Sequence, residues 1–375
     1  MAGRGARSGL HGRSRPWIAT LATLGVAVSA ASWAADADTT VAMGTPKPGE
    51  PLTLTRLDED TVELRRLEAT RVDVWSSLDP VLDRADLRLQ RGFTGRSLRV
   101  AMPAATRRYL LLAPRFGKPG VVAERTLPLQ QGSNFRDFGG YLTRDGHVVR
   151  WGRLFRSAAM PLLTERDYQL LAGLHPDSIL DLRALAEREL MPDQLDDRSG
   201  ALFLSNDYPL RELMAHMGPA DGELIYKGLE TLMVPQFRML LARLLEDRGA
   251  VVVHDVWGQD RVGVIVALLY DVLGVDRATI HADFHLSEQV RRPQFEIPDL
   301  DPKDFPGNLI VGYYASKKVN GVHKPDHLYT PTGASHIDRF LEYIDRDYGG
   351  SEAYFRKVLG VSSSDLARLK AVLLD

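Results

Sequence analysis

The sequence predicts an α/β protein: a central sheet flanked by helices, preceded by a small all-β sandwich. Two observations predict this. Between residue 52 and about 114 the chain reads as short segments of alternating character, LTLTRL, TVELRRL, RVDVWSSL, SLRVAM and RYLLLAP, separated by turn-forming DED, DP and TG. After PRFGKPG the pattern changes. There VVRWGRLFRSA and SILDLR read as strands, while LTERDYQLLAGL and residues 228–248 read as helices.

The whole chain has 375 residues, of which 44% are hydrophobic, enough for one large globular domain and a small one. A formal net charge of -2 gives no electrostatic footprint for nucleic acid, which is excluded as a partner. There are no cysteines, so disulfides, thiolate zinc sites and thiol chemistry are excluded as well.

Residues 1–34 run from an arginine-rich, acid-free start into an uncharged apolar stretch ending in Ser32, Trp33 and Ala34. That is the layout of a cleaved signal peptide, which predicts a periplasmic or secreted protein with no membrane span after cleavage. An uncleaved anchor is the alternative, because residues 16–35 carry no charge. Residues 35–51 are polar and read as a linker, and 52–121 as the sandwich domain, which shows no clustered ligand-type residues and so suits docking better than catalysis. Residues 122–375 form the larger domain. Within it, 286–337 is long, polar and proline-rich, and is expected to be a lid or insertion. Its Arg291, Arg292, Lys317 and Lys318 are either contacts for an acidic ligand or solvated charges. The last segment, SSSDLARLKAVLL, predicts a serine-capped helix burying Leu366, Leu369, Val372 and Leu373.

In the helix over 228–248, Phe237, Leu240, Leu241, Leu244 and Leu245 share one face, Gly249 is the expected stop, and the apolar run VVVH follows. What comes after His254 therefore lies at the carboxyl end of a buried strand, where open α/β sheets bind ligands. The loop DVWGQD contains Gly258, and Arg261 opens an apolar helix. Backbone N–H groups and a positive helix end converge there into a nest suited to an oxyanion of phosphate size.

The spacing His254, Gly258, Arg261, Gly263 resembles the phosphate-binding loop of protein tyrosine phosphatases, His-Cys-x-x-Gly-x-x-Arg. NFRDFGGY (134–141), ILDLRALAERE (179–189) and YGGSEAYFRKVLGVSSSDLARLKAVL (348–373) are similar to the bacterial branch of that superfamily, in the same order. The resemblance covers about 122–375 and implies a tyrosine-phosphatase-like central sheet. It implies that Arg261 clamps phosphate, with Val256, Trp257, Gly258, Gln259 and Gly263 lining the loop. Asp260 and Asp181 are then the general-acid candidates, supported by His254, Asn134, Arg136, Asp137 and Arg183. For Asp181 and Arg183 a structural ion pair is the competing reading. No cofactor or metal is implied.

The chain departs from the family where the chemistry resides. Asp255 stands at the position of the nucleophilic cysteine, Val262 replaces the hydroxyl residue after the arginine, Gln259 replaces a lysine, and Trp257 replaces a small residue. Four departures in one loop argue for natural drift over a single engineered change. The Asp255 carboxylate is expected to sit in the nest and cap it against phosphate. The expected function is an exported, catalytically impaired pseudophosphatase that binds a phosphorylated ligand or protein partner through residues 254–261. The alternative is an active phosphatase hydrolysing phosphate monoesters by substitute chemistry, with a metal or with His254 as the replacement group.

Overall fold

The computed structural model describes residues 50–209, 211–212, 224–324 and 327–375. The predicted leader 1–34 and nearly all of the linker 35–51 lie outside the described residues. Seven strands come first: β1 (Leu52–Arg56), β2 (Thr61–Arg66), β3 (Val72–Ser77), β4 (Leu87–Phe93), β5 (Ser97–Ala101), β6 (Tyr109–Pro114) and β7 (Gly120–Ala123). They form two antiparallel sheets, β1-β2-β5 and β4-β3-β6-β7. Leu54, Val62, Leu64 and Val100 of the first sheet share one apolar core with Val74, Leu110, Leu112 and Val122 of the second. Strand β4 escapes sequence reading because it is an edge strand with mostly exposed residues and no buried alternation. Trp151, from the following segment, packs into this same core.

The central sheet has the order β11-β10-β12-β9-β8, built from β8 (Arg136–Asp137), β9 (Leu154–Ser157), β10 (Pro176–Asp181), β11 (Leu202–Ser205) and β12 (Ala250–His254). All pairings are parallel except that of β8 with β9. Strand β12 is central and buried at every position, so it reads as an unbroken apolar run.

Two local readings are corrected. The strand predicted over 148–158 narrows to Leu154–Ser157, because Val148 and Val149 bridge to Leu142 and Leu374 instead, and Gly152 turns the chain at φ +74°. The helix over 228–248 is two helices, Leu229–Leu232 and Val234–Glu246, with Pro235 in the first turn of the second. A proline inside one continuous helix would remove a hydrogen bond and clash with the preceding turn, so the helix restarts there. The stop is Asp247 in the left-handed region at φ 55°, two residues before Gly249.

Helices cover the central sheet, and the one that follows β12, Arg261–Leu273, is buried almost throughout. The carboxy-terminal helix Ser363–Leu373 is capped by Ser362 in a reciprocal pair with Asp365 and buries Leu366, Leu369, Val372 and Leu373, as its periodicity predicts. The segment 286–337 contributes a helix, Leu309–Ser316, and a small hairpin, β13 (Lys318–Val319) with β14 (Val322–His323). Among the described residues no helix is long and apolar enough to cross a membrane.

Candidate functional site

Strand β12 delivers the loop 255–260 to the carboxyl edge of the sheet, and the helix Arg261–Leu273 points its amino end back into it. The Asp255 carboxylate fills the resulting concavity. Its Oδ1 accepts the N–H of Trp257 at 2.8 Å and also the N–H of Gly258, and its Oδ2 accepts the N–H of Val262 at 3.0 Å. Arg261 Nε lies 3.9 Å from the same Oδ2. Asp255 is 1% exposed, so an anion already occupies the place where nest and helix end converge.

Arg261 is turned elsewhere. Its Nη1 and Nη2 donate to Glu187 Oε2 and Oε1 at 2.7 and 3.1 Å, and Nη1 also donates to Tyr208 Oη at 2.8 Å. A buried fork-to-fork pair of this kind uses the donors that would otherwise clamp a ligand oxyanion. Glu187 in turn accepts Tyr314 Oη at 2.9 Å and the N–H of Ala184 at 2.8 Å. Sequence reading found the segment containing Glu187 but gave that residue no role.

The two acid candidates are held differently. Asp260 precedes the loop helix, is buried, and accepts Tyr226 Oη at 2.7 Å. Asp181, at the end of β10, makes a bidentate pair with Arg183, with 2.9 Å from Nε to Oδ1 and 2.6 Å from Nη2 to Oδ2. Burial alone would raise the Asp181 carboxyl, but its neighbours His254 and Arg183 hold it below its ordinary value. A donating acid needs the opposite shift, so the geometry matches the ion-pair reading. Arg183 Nη2 also reaches Asp193 Oδ2 at 2.6 Å, and His254 Nε2 lies 3.6 and 3.8 Å from Asp181 Oδ2 and Asp193 Oδ2.

Asn134 braces the loop directly, while Arg136 lies behind it on Asp283 and Ser287. Asn134 Nδ2 donates to the carbonyls of Trp257 and Gly258 at 3.1 and 2.9 Å, and Arg136 donates to Asp283 O and to Ser287 Oγ. Arg156, missed in the sequence, joins Gly258 O at 2.7 Å to Asp283 Oδ2 at 2.8 Å. At Gly258, φ is +62° and a Cβ would meet the Ser157 backbone at 2.6 Å, while a Cβ at Gly263 would meet Phe284 at 2.8 Å. Both glycines are spacing requirements. Asp137 instead holds Arg107 at 2.6 Å and the N–H groups of Gly139 and Gly152, none of them in the loop.

Residues 291–314 pack against the loop. Val256 and Trp257 pack with Met191, Ile297, Leu300, Ile310, Val311 and Tyr314 in one apolar cluster, and Trp257 is 4% exposed. Gln259 Oε1 accepts Arg291 Nη1 at 3.1 Å, and Arg291 also pairs with the buried Glu296. Of the other cations in segment 286–337, Arg292 donates to backbone carbonyls at Leu129 and Gly132 and Lys318 pairs with Asp299. These contacts are internal to the fold.

The sequence pattern of the tyrosine phosphatase family matches residues 127–375. The chain is similar to a tyrosine-protein phosphatase of Nostoc commune, 29% identical over 58% of this chain and 73% of that protein. It is also similar to a triple specificity protein phosphatase, PtpB, of Mycobacterium tuberculosis, 25% identical over 64% of this chain and 96% of that one. Among solved structures, TpbA of P. aeruginosa overlaps 39% of this chain and 76% of its own at 18% identity, with a TM-score of 0.26, too partial an overlap to carry any argument.

Proposed function

Because the chain belongs to the tyrosine phosphatase family, we propose that it is an exported tyrosine-phosphatase-like protein with little or no turnover, whose altered loop 254–261 serves binding of a protein partner or phosphorylated ligand. One observation carries the reading: the Asp255 carboxylate accepts the loop N–H groups of Trp257, Gly258 and Val262. In an active relative those donors receive phosphate oxygens while a thiolate attacks phosphorus. Here the donors are satisfied from inside, and an incoming phosphate meets a like charge at a cost on the order of kcal/mol even with partial screening. Arg261, committed to Glu187 and Tyr208, offers no compensating clamp.

Asp255 is also poorly placed as a substitute nucleophile. An attacking carboxylate would first give up its hydrogen bonds, and aspartyl-phosphate chemistry leans on a divalent ion beside the carboxylate. The reading that Asp255 replaces a cysteine rests on the match of His254, Gly258 and Arg261 to the family loop. Export rests on the composition of residues 1–34, and the amino-terminal sequence of the mature protein recovered from cells tests it.

The deciding experiment is hydrolysis of a generic aryl phosphate by the mature chain and by its Asp255→Cys variant, each with Mg²⁺ and with chelator. The parent is expected to be silent under both conditions. Turnover by the parent would overturn the proposal, and its metal dependence would identify the substitute chemistry. Activity gained by Asp255→Cys would show that the scaffold around the loop is still competent.

A further inference from the structure

Behind the loop, three buried ligand atoms converge without a hydrogen bond between the histidine and the carboxylates. His254 Nε2 is 3.6 Å from Asp181 Oδ2 and 3.8 Å from Asp193 Oδ2, and the three ligand atoms lie within 4.8 Å of one another. The side chains of Asp181 and Asp193 are 0% and 3% exposed, and that of His254 is 0% exposed. Neither ring nitrogen of His254 has a hydrogen-bond partner, which is a costly state for a polar ring in a dry interior. The second observation is charge. With the His254 ring neutral, as a metal ligand must be, Asp181 and Asp193 bring two negative charges and Arg183 returns one, through a single Nη2 that reaches both Oδ2 atoms at 2.6 Å. Asp193 Oδ2 accepts that one contact and keeps a lone pair, whereas Asp181 Oδ2 also accepts Arg183 Nε at 3.1 Å, the longer contact that a cation would displace.

With ligand bonds of about 2.1 Å, the separations of 3.6 and 3.8 Å correspond to ligand–metal–ligand angles of about 120° to 130°. Shifts of a few tenths of an ångström would make them tetrahedral. We propose that Asp181, Asp193 and His254 form a site for a divalent first-row transition cation of the zinc class, with Arg183 as the outer group orienting both carboxylates. One imidazole with two carboxylates suits zinc better than Mg²⁺ or Ca²⁺, which prefer oxygen-only shells. The cation would tie the ends of β10 and β12 to the segment carrying Asp193, and so fix the strand end from which the loop departs. The site uses none of the donors that Asp255 occupies, so it stands whether or not the loop turns over phosphate.

The full mature chain, stripped with chelator, is titrated calorimetrically with Zn²⁺ and separately with Mg²⁺. The expected result is one Zn²⁺ per chain, a raised Tm, no response to Mg²⁺, and affinity weakened about tenfold or more in Asp193→Asn and in His254→Gln. His285→Asn, which alters the separate histidine pair His281 and His285, should bind as the parent does. No stoichiometric uptake by the parent, uptake surviving in both site variants, or loss of uptake in His285→Asn would each overturn the site. Should the site variants fail to fold, Co²⁺ loading of the parent decides. Intense visible absorption of a four-coordinate ion is expected, and its absence at one equivalent counts against the proposal.

Discussion

Phosphate binding by a backbone nest depends on donors that water alone satisfies in the free protein. Asp255 removes that condition, since its two oxygens accept three N–H groups and its charge faces Arg261 Nε. Asp255→Ala should therefore uncover an anion site at a cost in stability. Each buried donor left unpaired costs about 1–3 kcal/mol, and because the three share one cavity that water can enter, a total loss of about 3 kcal/mol is expected. Inorganic phosphate should return part of it. Thermal unfolding with and without phosphate checks this: the variant should gain more Tm from phosphate than the parent does, and equal gains would mean that Asp255 does not occupy the anion site. Glu187 carries the complementary prediction. Glu187→Gln removes the nearer of the two carboxylates that face the buried Arg261, leaving Asp255 at 3.9 Å, and should cost about 3 kcal/mol in urea unfolding, the lower end for a broken buried pair.

Among the elements, the loop and segment 286–337 depend on each other. Trp257 projects from the loop into a cluster made largely by that segment, with its ring centroid 6.1 Å from that of Tyr314, while the Tyr314 hydroxyl reaches Glu187. Trp257→Ala should leave a cavity worth about 3–5 kcal/mol and release the segment, seen as faster limited proteolysis within residues 298–324. Unchanged cleavage would mean that the cover is held by its other contacts. The loop, its strand and its helix were legible in the sequence because each is local: an apolar run, a glycine at a tight approach, an arginine at a helix start. The partner of Arg261 was not legible, because Glu187 lies 74 residues away and an alternating strand-and-helix pattern does not say which acidic residue meets which base. Sequence also placed Gly249 as the helix stop, whereas Asp247 adopts the left-handed turn two residues earlier. Aspartate tolerates that conformation through local hydrogen bonding, so a glycine nearby is not decisive. In the sequence Trp257 reads only as a bulky residue in place of a small one. Its burial against the covering segment could not be foreseen without knowing where that segment lies.

Across the whole molecule, the first two sheets and the central sheet are tied by buried charge as well as by Trp151. Arg107 reaches from the start of β6 to Asp137 on β8, and Arg136 and Arg156 converge on Asp283 beneath the loop. Burial would raise the Asp283 carboxyl, yet the two guanidinium groups hold it below its ordinary value. A carboxylate lowered in the fold contributes stability above its unfolded pKa and loses that contribution as pH falls through the lower folded value, so the Asp283 contribution is intact at neutral pH and is lost only below about 3.8. His285 acts earlier. It packs on Tyr329 at 4.2 Å, bonds Ser335 Oγ through Nε2 at 2.8 Å, and faces His281, His336, Asp338 and Glu288. Burial first and the neighbouring histidines next push it down from 6.5 to about 4, against the pull of Asp338. The unfolded chain therefore takes up a proton at this residue that the fold refuses between those two values. Stability from this group is present above pH 6.5 and is lost as pH falls toward 4, with a slope below the ceiling of about 1.4 kcal/mol per pH unit that one proton sets. Urea unfolding of the parent at pH 7.5, 5.5 and 4.5 should show this decline. His285→Gln, which keeps a hydrogen-bonding side chain but does not titrate, should flatten it, and parallel profiles for the two proteins would place the acid sensitivity in other residues.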